Sequence, residues 1–157
     1  MKKFGFLTPV FVALTLMVCL VQCKKEQPLG FKITCYYEDS DSLINNLDKG
    51  YFYIDTSKYL LYDSVNARYN YCDTTLAKLT GSIKNGVASF EGLRYPVLLR
   101  VVLSTDTIMN PLDSASFWIY RDTVEVKVEE DNIVNQRNPA DDKPAEAKAF
   151  LNKIIVQ

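Results

Sequence analysis

The sequence contains no histidine. That absence removes the side chain that most often moves protons near neutral pH and the commonest metal ligand, and it makes a Ser-His-Asp site impossible. No G-x-S-x-G elbow and no phosphate-binding glycine loop occurs either. What is left for catalysis is Asp/Glu chemistry of the glycosidase kind, which one small domain does not favour. The expectation is a protein that is not an enzyme, with no cofactor and no metal. Basic clusters are also missing: 18 Lys and Arg stand against 19 Asp and Glu, so a nucleic-acid partner has no electrostatic support. No C-x-x-C pair occurs, which excludes a local redox motif and a paired zinc knuckle.

The acidic stretches do not compensate. Glu38-Asp39-Ser40-Asp41-Ser42 lacks the central glycine of a calcium loop, so it reads as a solvated loop that runs on to Lys49. Glu129-Glu130-Asp131-Asn132 reads as a polar turn at the end of a strand.

What is present begins with Met1-Lys2-Lys3 and an uncharged run from Phe4 to Val21, the pattern of a secretory signal. The run is long enough to compete as a membrane span, but Pro9 interrupts it. Leu20-Val21-Gln22-Cys23 resembles a bacterial lipobox, with Cys23 as the lipidated new N-terminus and Gln22 where a small residue is usual. Ordinary cleavage after Cys23 and an uncleaved anchor are the rivals, and Cys19 is poorly placed inside the apolar run. The expected organisation is a lipoprotein-type signal over 1–22, a tether over 23–30, a β-sandwich domain over 31–134, and a linker with a C-terminal amphipathic helix over 135–157. Acyl chains on Cys23 would hold the domain at a bilayer surface.

Period-two patterning dominates the middle of the chain. Phe31, Ile33, Cys35 and Tyr37 alternate with more polar residues, the mark of a half-buried strand. Tyr51–Ile54, Lys58–Tyr62 and Arg68–Asp73 favour a pleated surface. Asn85-Gly86 is the clearest hairpin turn, with Ile83 and Val87–Phe90 as its arms. Tyr95–Leu103 is apolar on both faces, which predicts a central strand, with Arg100 either near an edge or laying its stem along the sheet with its head in water. Phe117–Tyr120 and Thr123–Val128 follow, the latter with Glu125 and Lys127 on a wet face. About seven to nine short strands without a βαβ rhythm predict an all-β, antiparallel sandwich. After Pro144, the apolar residues Ala147, Phe150, Leu151, Ile154 and Ile155 fall at helical spacing and predict a short helix that caps the sandwich or docks a partner.

Two open questions concern side chains. Cys35 and Cys72 either pair as a disulfide in an oxidising envelope or stay as buried thiols; their spacing does not decide. Of the ten tyrosines, Tyr51, Tyr53, Tyr59, Tyr62, Tyr69 and Tyr71 are concentrated in the first half. Tyr51, Tyr53, Tyr69 and Tyr71 are candidates for a ligand face that stacks on sugar rings, against the plainer reading of strand packing.

Lys84-Asn85-Gly86-Val87-Ala88-Ser89-Phe90-Glu91-Gly92, followed by Tyr95-Pro96 and an apolar strand, resembles a β-sandwich domain of unknown function in envelope proteins of Bacteroidetes. Phe117–Val128 resembles that family's closing hairpin, and Asp73-Thr74 takes the place of its Asp-Ser pair at a longer spacing. The resemblance covers Phe31 to Val128. In that family the domain commonly precedes a thioredoxin-like, thiol-disulfide oxidoreductase domain, of which no counterpart lies in this sequence. Redox chemistry is therefore not carried over.

The expected function is that of a non-catalytic, lipid-anchored envelope protein that binds or scaffolds a protein partner. It would sit at the outer membrane, on the periplasmic face rather than the cell surface. The alternatives are an accessory to a thiol-disulfide oxidoreductase supplied by another chain and a glycan-binding module.

Overall fold

The computed structural model describes residues 28–55, 60–63, 65–71, 79–134 and 139–156. It is all-β. Among the described residues ten strands run β1 (Leu29–Tyr37), β2 (Tyr51–Ile54), β3 (Leu60–Asp63), β4 (Arg68–Tyr71), β5 (Thr80–Ser82), β6 (Val87–Leu93), β7 (Val97–Ser104), β8 (Ile108–Asn110), β9 (Asp113–Val128) and β10 (Ala145–Val156). Short 3-10 turns at Asn46–Asp48 and Pro139–Asp141 are the helical elements among the described residues.

The strands form one continuous sheet that is nearly barrel-shaped, in the order β4-β3-β7-β9-β10-β1-β6. β2 and β5 extend from the same side of β7 as β3, and β8 pairs with β9. β7 is the centre: β9 runs along one side over its whole length, while β3 and β2 share the other, at Val97–Leu98 and Val101–Ser104. Its two-sided apolar character is satisfied near its end, where Val101, Val102, Leu103, Ser104 and Thr105 are all buried. Arg100 is only partly buried and pairs with Asp55 at 3.6 Å, which keeps its head wet while its stem lies on the sheet.

The core is filled by alternate residues of facing strands. Phe31, Ile33 and Cys35 of β1 point inward together with Phe52, Leu99, Leu103, Val128 and Leu151. Phe31 meets Phe52 edge-on at 5.7 Å and stacks on Phe90 at 6.2 Å. Burying one such ring contributes about 1.5–3 kcal/mol.

Asn85-Gly86 forms the expected turn. Both residues have positive φ, 50° and 73°, and Lys84 and Val87 exchange both backbone hydrogen bonds at 2.9 Å, the geometry of a two-residue hairpin loop. The arms separate at once, because β5 pairs with β2 and β6 with β1. Gly92, at φ 109°, takes up the register shift where β6 passes Leu29 and Gly30.

The C-terminal segment corrects two expectations. Residues 145–156 form a strand, not a helix, and the sheet is mixed, not purely antiparallel. β10 runs parallel to β1 from Phe31↔Ala145 to Tyr37↔Leu151, then antiparallel to β9 from Asn152↔Arg121 to Val156↔Phe117. Ala145, Ala149 and Leu151 enter the core, whereas Phe150, on the expected helical stripe, is 43% exposed. The reason is long-range: β1 and β9 each offer a free edge, and alternate alanines fit the crowded interior between them. Helix propensity differs from strand propensity by tenths of a kcal/mol per residue, so two ladders of hydrogen bonds override it.

Candidate binding edge at the β8–β9–β10 tip

β10 leaves β1 after Leu151 and projects beyond the barrel with β9 and β8. Ile155 lies opposite Trp118, which lies opposite Ile108; Val156 lies opposite Phe117, which lies opposite Met109. Apolar residues therefore sit on both faces of a three-stranded tip. Their exposure is substantial: Ile155 68%, Met109 57%, Ile154 41%, Val156 39% and Phe117 37%. Leu112, in the β8–β9 turn, is 95% exposed. Single exposed apolar residues are ordinary, but Ile154, Val156, Phe117 and Met109 share one face of the tip and form a contiguous exposed group. Lys153 lies over the Trp118 ring at 3.7 Å, a contact that holds both side chains on one face.

The backbone direction of the tip follows from two hydrogen bonds. Glu38 N–H donates to the Leu151 carbonyl at 3.1 Å, and Phe150 N–H donates to Asp122 Oδ2 at 3.0 Å. Alternate residues of a strand aim their backbone groups to opposite sides. Lys153 and Ile155 thus direct N–H and C=O away from β9, past the end of β1, where no strand pairs with them among the described residues. Polarity and apolarity coincide there: an open row of donors and acceptors is flanked by exposed Ile154, Ile155 and Val156.

A second cluster lies at the base of the tip. Tyr37 OH donates to Asp48 Oδ2 and accepts from Asn45 N–H at 3.0 Å; Tyr120 OH donates to Asp39 Oδ2 at 3.2 Å. The two rings meet edge-on at 4.7 Å. Burial, reinforced by the Asp48 carboxylate, pushes the Tyr37 phenol up to about 12, and burial with Asp39 raises Tyr120. Both phenols are held protonated as donors, so the cluster acts as a latch that ties the 38–49 loop to the end of β1 through Tyr37 and to β9 through Tyr120. The acidic loop read as merely solvated thus supplies two structural acceptors, found 81 residues away from Tyr120 in one case. No sequence signal links partners so distant.

The residues singled out from the sequence fall in different places. Cys23 and Cys72 lie outside the described residues. Cys35 is a free thiol, fully buried, with Sγ 3.6 Å from the Ile33 carbonyl; burial pushes it up to about 12. Tyr51 and Tyr53 share the outer face of β2, opposite core residues Phe52 and Ile54, with Tyr51 37% exposed. Tyr69 and Tyr71 lie in β4 at the positions facing Tyr62 and Leu60 of β3. The two tyrosine pairs are on different strands with β3 between β4 and the body of the sheet, so the structure does not assemble them on one strand pair.

One cleft of about 330 Å³ opens on the outside of β1, β6 and β10, lined by Lys32, Ser89, Glu91, Asp142, Glu146 and Pro144 among others. Among the described residues no group of three or more Cys, Asp or Glu is arranged to hold a metal ion, and no helix is long and apolar enough to cross a membrane. Comparison with protein-family models, with curated proteins and with solved structures found no match.

Proposed function

We propose that this chain is a lipid-anchored, non-catalytic envelope module, an all-β domain that binds a partner protein through an exposed strand edge. The observation that carries the binding half is the open edge at Lys153 and Ile155 within an exposed apolar tip. Exposed edges are normally shortened, charged or covered, because they recruit extended segments; one flanked by isoleucines is costly unless used. The anchoring half rests on the Leu20-Val21-Gln22-Cys23 pattern behind an apolar leader. We place the anchor in the outer membrane, with the domain on the periplasmic side.

Cell fractionation with palmitate labelling tests the anchor. The wild-type chain should take up label and sediment with outer membranes, and Cys23→Ala should lose both properties. Label retained by Cys23→Ala would sink the assignment. Protease treatment of intact cells should leave the domain uncut if it faces the periplasm.

The glycan-binding alternative has a narrower footing, the outward Tyr51 and Tyr53 of β2. The alternative of an accessory to a thiol-disulfide enzyme rests on family resemblance alone. Cys35 lends it no support, since a buried thiol of raised pKa supplies little thiolate.

A further inference from the structure

We propose that the distal part of β10, Lys153 to Val156, docks an extended segment of a separate protein, apolar at alternate positions and carrying a carboxylate where it passes Lys153. The inference deepens the reading above and rests on the anchor at Cys23. It names the edge and excludes the two other natural occupants, the host bilayer and a second copy of the chain.

The exclusion comes from strand direction. The described chain enters at Pro28, and β1 begins at Leu29. β10 runs parallel to β1, so Ile155 lies at the opposite end of the sheet from the anchored end. Tyr37, the last residue of β1, is level with Leu151, and the edge lies beyond both. At about 3.3 Å per residue, the edge stands roughly 40 Å along the strand direction from Leu29. The intervening tether, residues 24–28, spans at most about 17 Å when fully extended. A domain held that closely presents its Leu29 end to the bilayer and its apolar tip away from it.

A second copy fails for a related reason. Two identical edges brought together by a two-fold axis pair antiparallel, with the axis across the strands. Such a dimer places its two Leu29 ends at opposite poles, and short tethers cannot bring both to one membrane. What the edge can accept, while the chain is anchored, is a strand from a molecule that approaches from the membrane-distal side.

The edge also sets the chemistry of that strand. Backbone pairing uses the outward groups of Lys153 and Ile155. Side chains of the incoming strand meet Ile154 and Val156 on one face, and Ile155 with the stem of Lys153 on the other, both apolar enough to favour β-branched or aromatic residues. Lys153 has its ammonium over the Trp118 ring, and its remaining donors suit a carboxylate.

The test uses the full chain, solubilised from membranes in detergent, and a blocked synthetic hexapeptide of one glutamate followed by alternating valine and threonine. Saturating peptide should slow amide exchange at Lys153 and Ile155 by about tenfold or more. Ile155→Pro removes one outward N–H and leaves the even-numbered residues to hold β9, so it should abolish the protection. Ile155→Glu, whose carboxylate removes the apolar contact and repels the glutamate of the peptide, should do likewise if the proline disturbs the fold. Millimolar peptide without slowing at these two amides would overturn the proposal. So would protection that appears without peptide and grows with protein concentration, which identifies a second copy, or protection by phospholipid vesicles alone. Peptide protection in a chain that takes up no palmitate would support the docking edge and sink only the tether.

Discussion

Asp122 holds Phe150 at the point where β10 parts from β9. Its Oδ1 accepts from Thr123 N–H at 2.7 Å and its Oδ2 accepts from Phe150 N–H at 3.0 Å, so one carboxylate satisfies donors on two diverging strands. Beyond it, β10 turns to β1, and the sheet closes towards a barrel. Without such a group, the split would leave backbone donors of both strands facing each other with no protein acceptor between them.

Asp122→Ala should therefore loosen the divergence without unfolding the domain. Both hydrogen bonds are solvent-accessible, which discounts their charge-assisted strength to a loss of about 1 kcal/mol. Urea denaturation should give that decrease, with faster amide exchange at Phe150 as its local signature. A loss confined to the far end of the sheet would contradict the role.

Alkaline pH should weaken the fold through the latch and the buried thiol. Tyr37 rises from 10.0 to about 12 on folding, Cys35 from 9.0 to about 12, and Tyr120 rises as well. A raised folded-state pKa means the unfolded chain releases its proton first, so the stability these groups contribute is whole below pH 9 and is lost between pH 9 and 12. Urea midpoints measured across that range should fall. In Tyr37→Phe the fall should be shallower, because Cys35 and Tyr120 alone continue to respond.

Cys35 should resist alkylation in the native state. It is fully buried and short of thiolate at neutral pH. Iodoacetamide should modify it only in denaturant, read by mass spectrometry of the peptide that contains it. Rapid native labelling would place the thiol at the surface instead.

How much of this was legible in the sequence depended on the range of the interaction. The Asn85-Gly86 turn was legible because two adjacent residues needing positive φ suffice to specify it. β7 was legible because Val97 to Leu103 is apolar on both faces, whatever it packs against. The tip was hidden, since Trp118 and Ile155 become neighbours only through a register between strands far apart in sequence. The Tyr120–Asp39 pair, 81 residues apart, was hidden for the same reason, whereas Tyr37 and Asp48, 11 residues apart, meet through an irregular loop that has no periodic pattern to read. β10 misled because its inward residues include Ala145, Ala147 and Ala149, too small to stand out as a period-two pattern, while the conspicuous Phe150, Ile154 and Ile155 are exposed.

Two substitutions decide directly between the strand that forms and the helix that the spacing suggested. On the helical stripe Phe150 would be the anchor and Ala149 would face water. In the strand the order inverts: Ala149 is 1% exposed between β1 and β9, and Phe150 is 43% exposed, stacked on Tyr36 at 5.4 Å. Ala149→Glu buries a carboxylate in an apolar core, and should cost about 3 kcal/mol or more, enough to threaten a marginally stable domain. Phe150→Glu loses a half-exposed ring contact, about 0.5–1.5 kcal/mol, and should fold. Circular dichroism and urea midpoints of the two variants give the answer. A stable Ala149→Glu beside an unfolded Phe150→Glu would restore the helix and remove the edge on which partner binding depends.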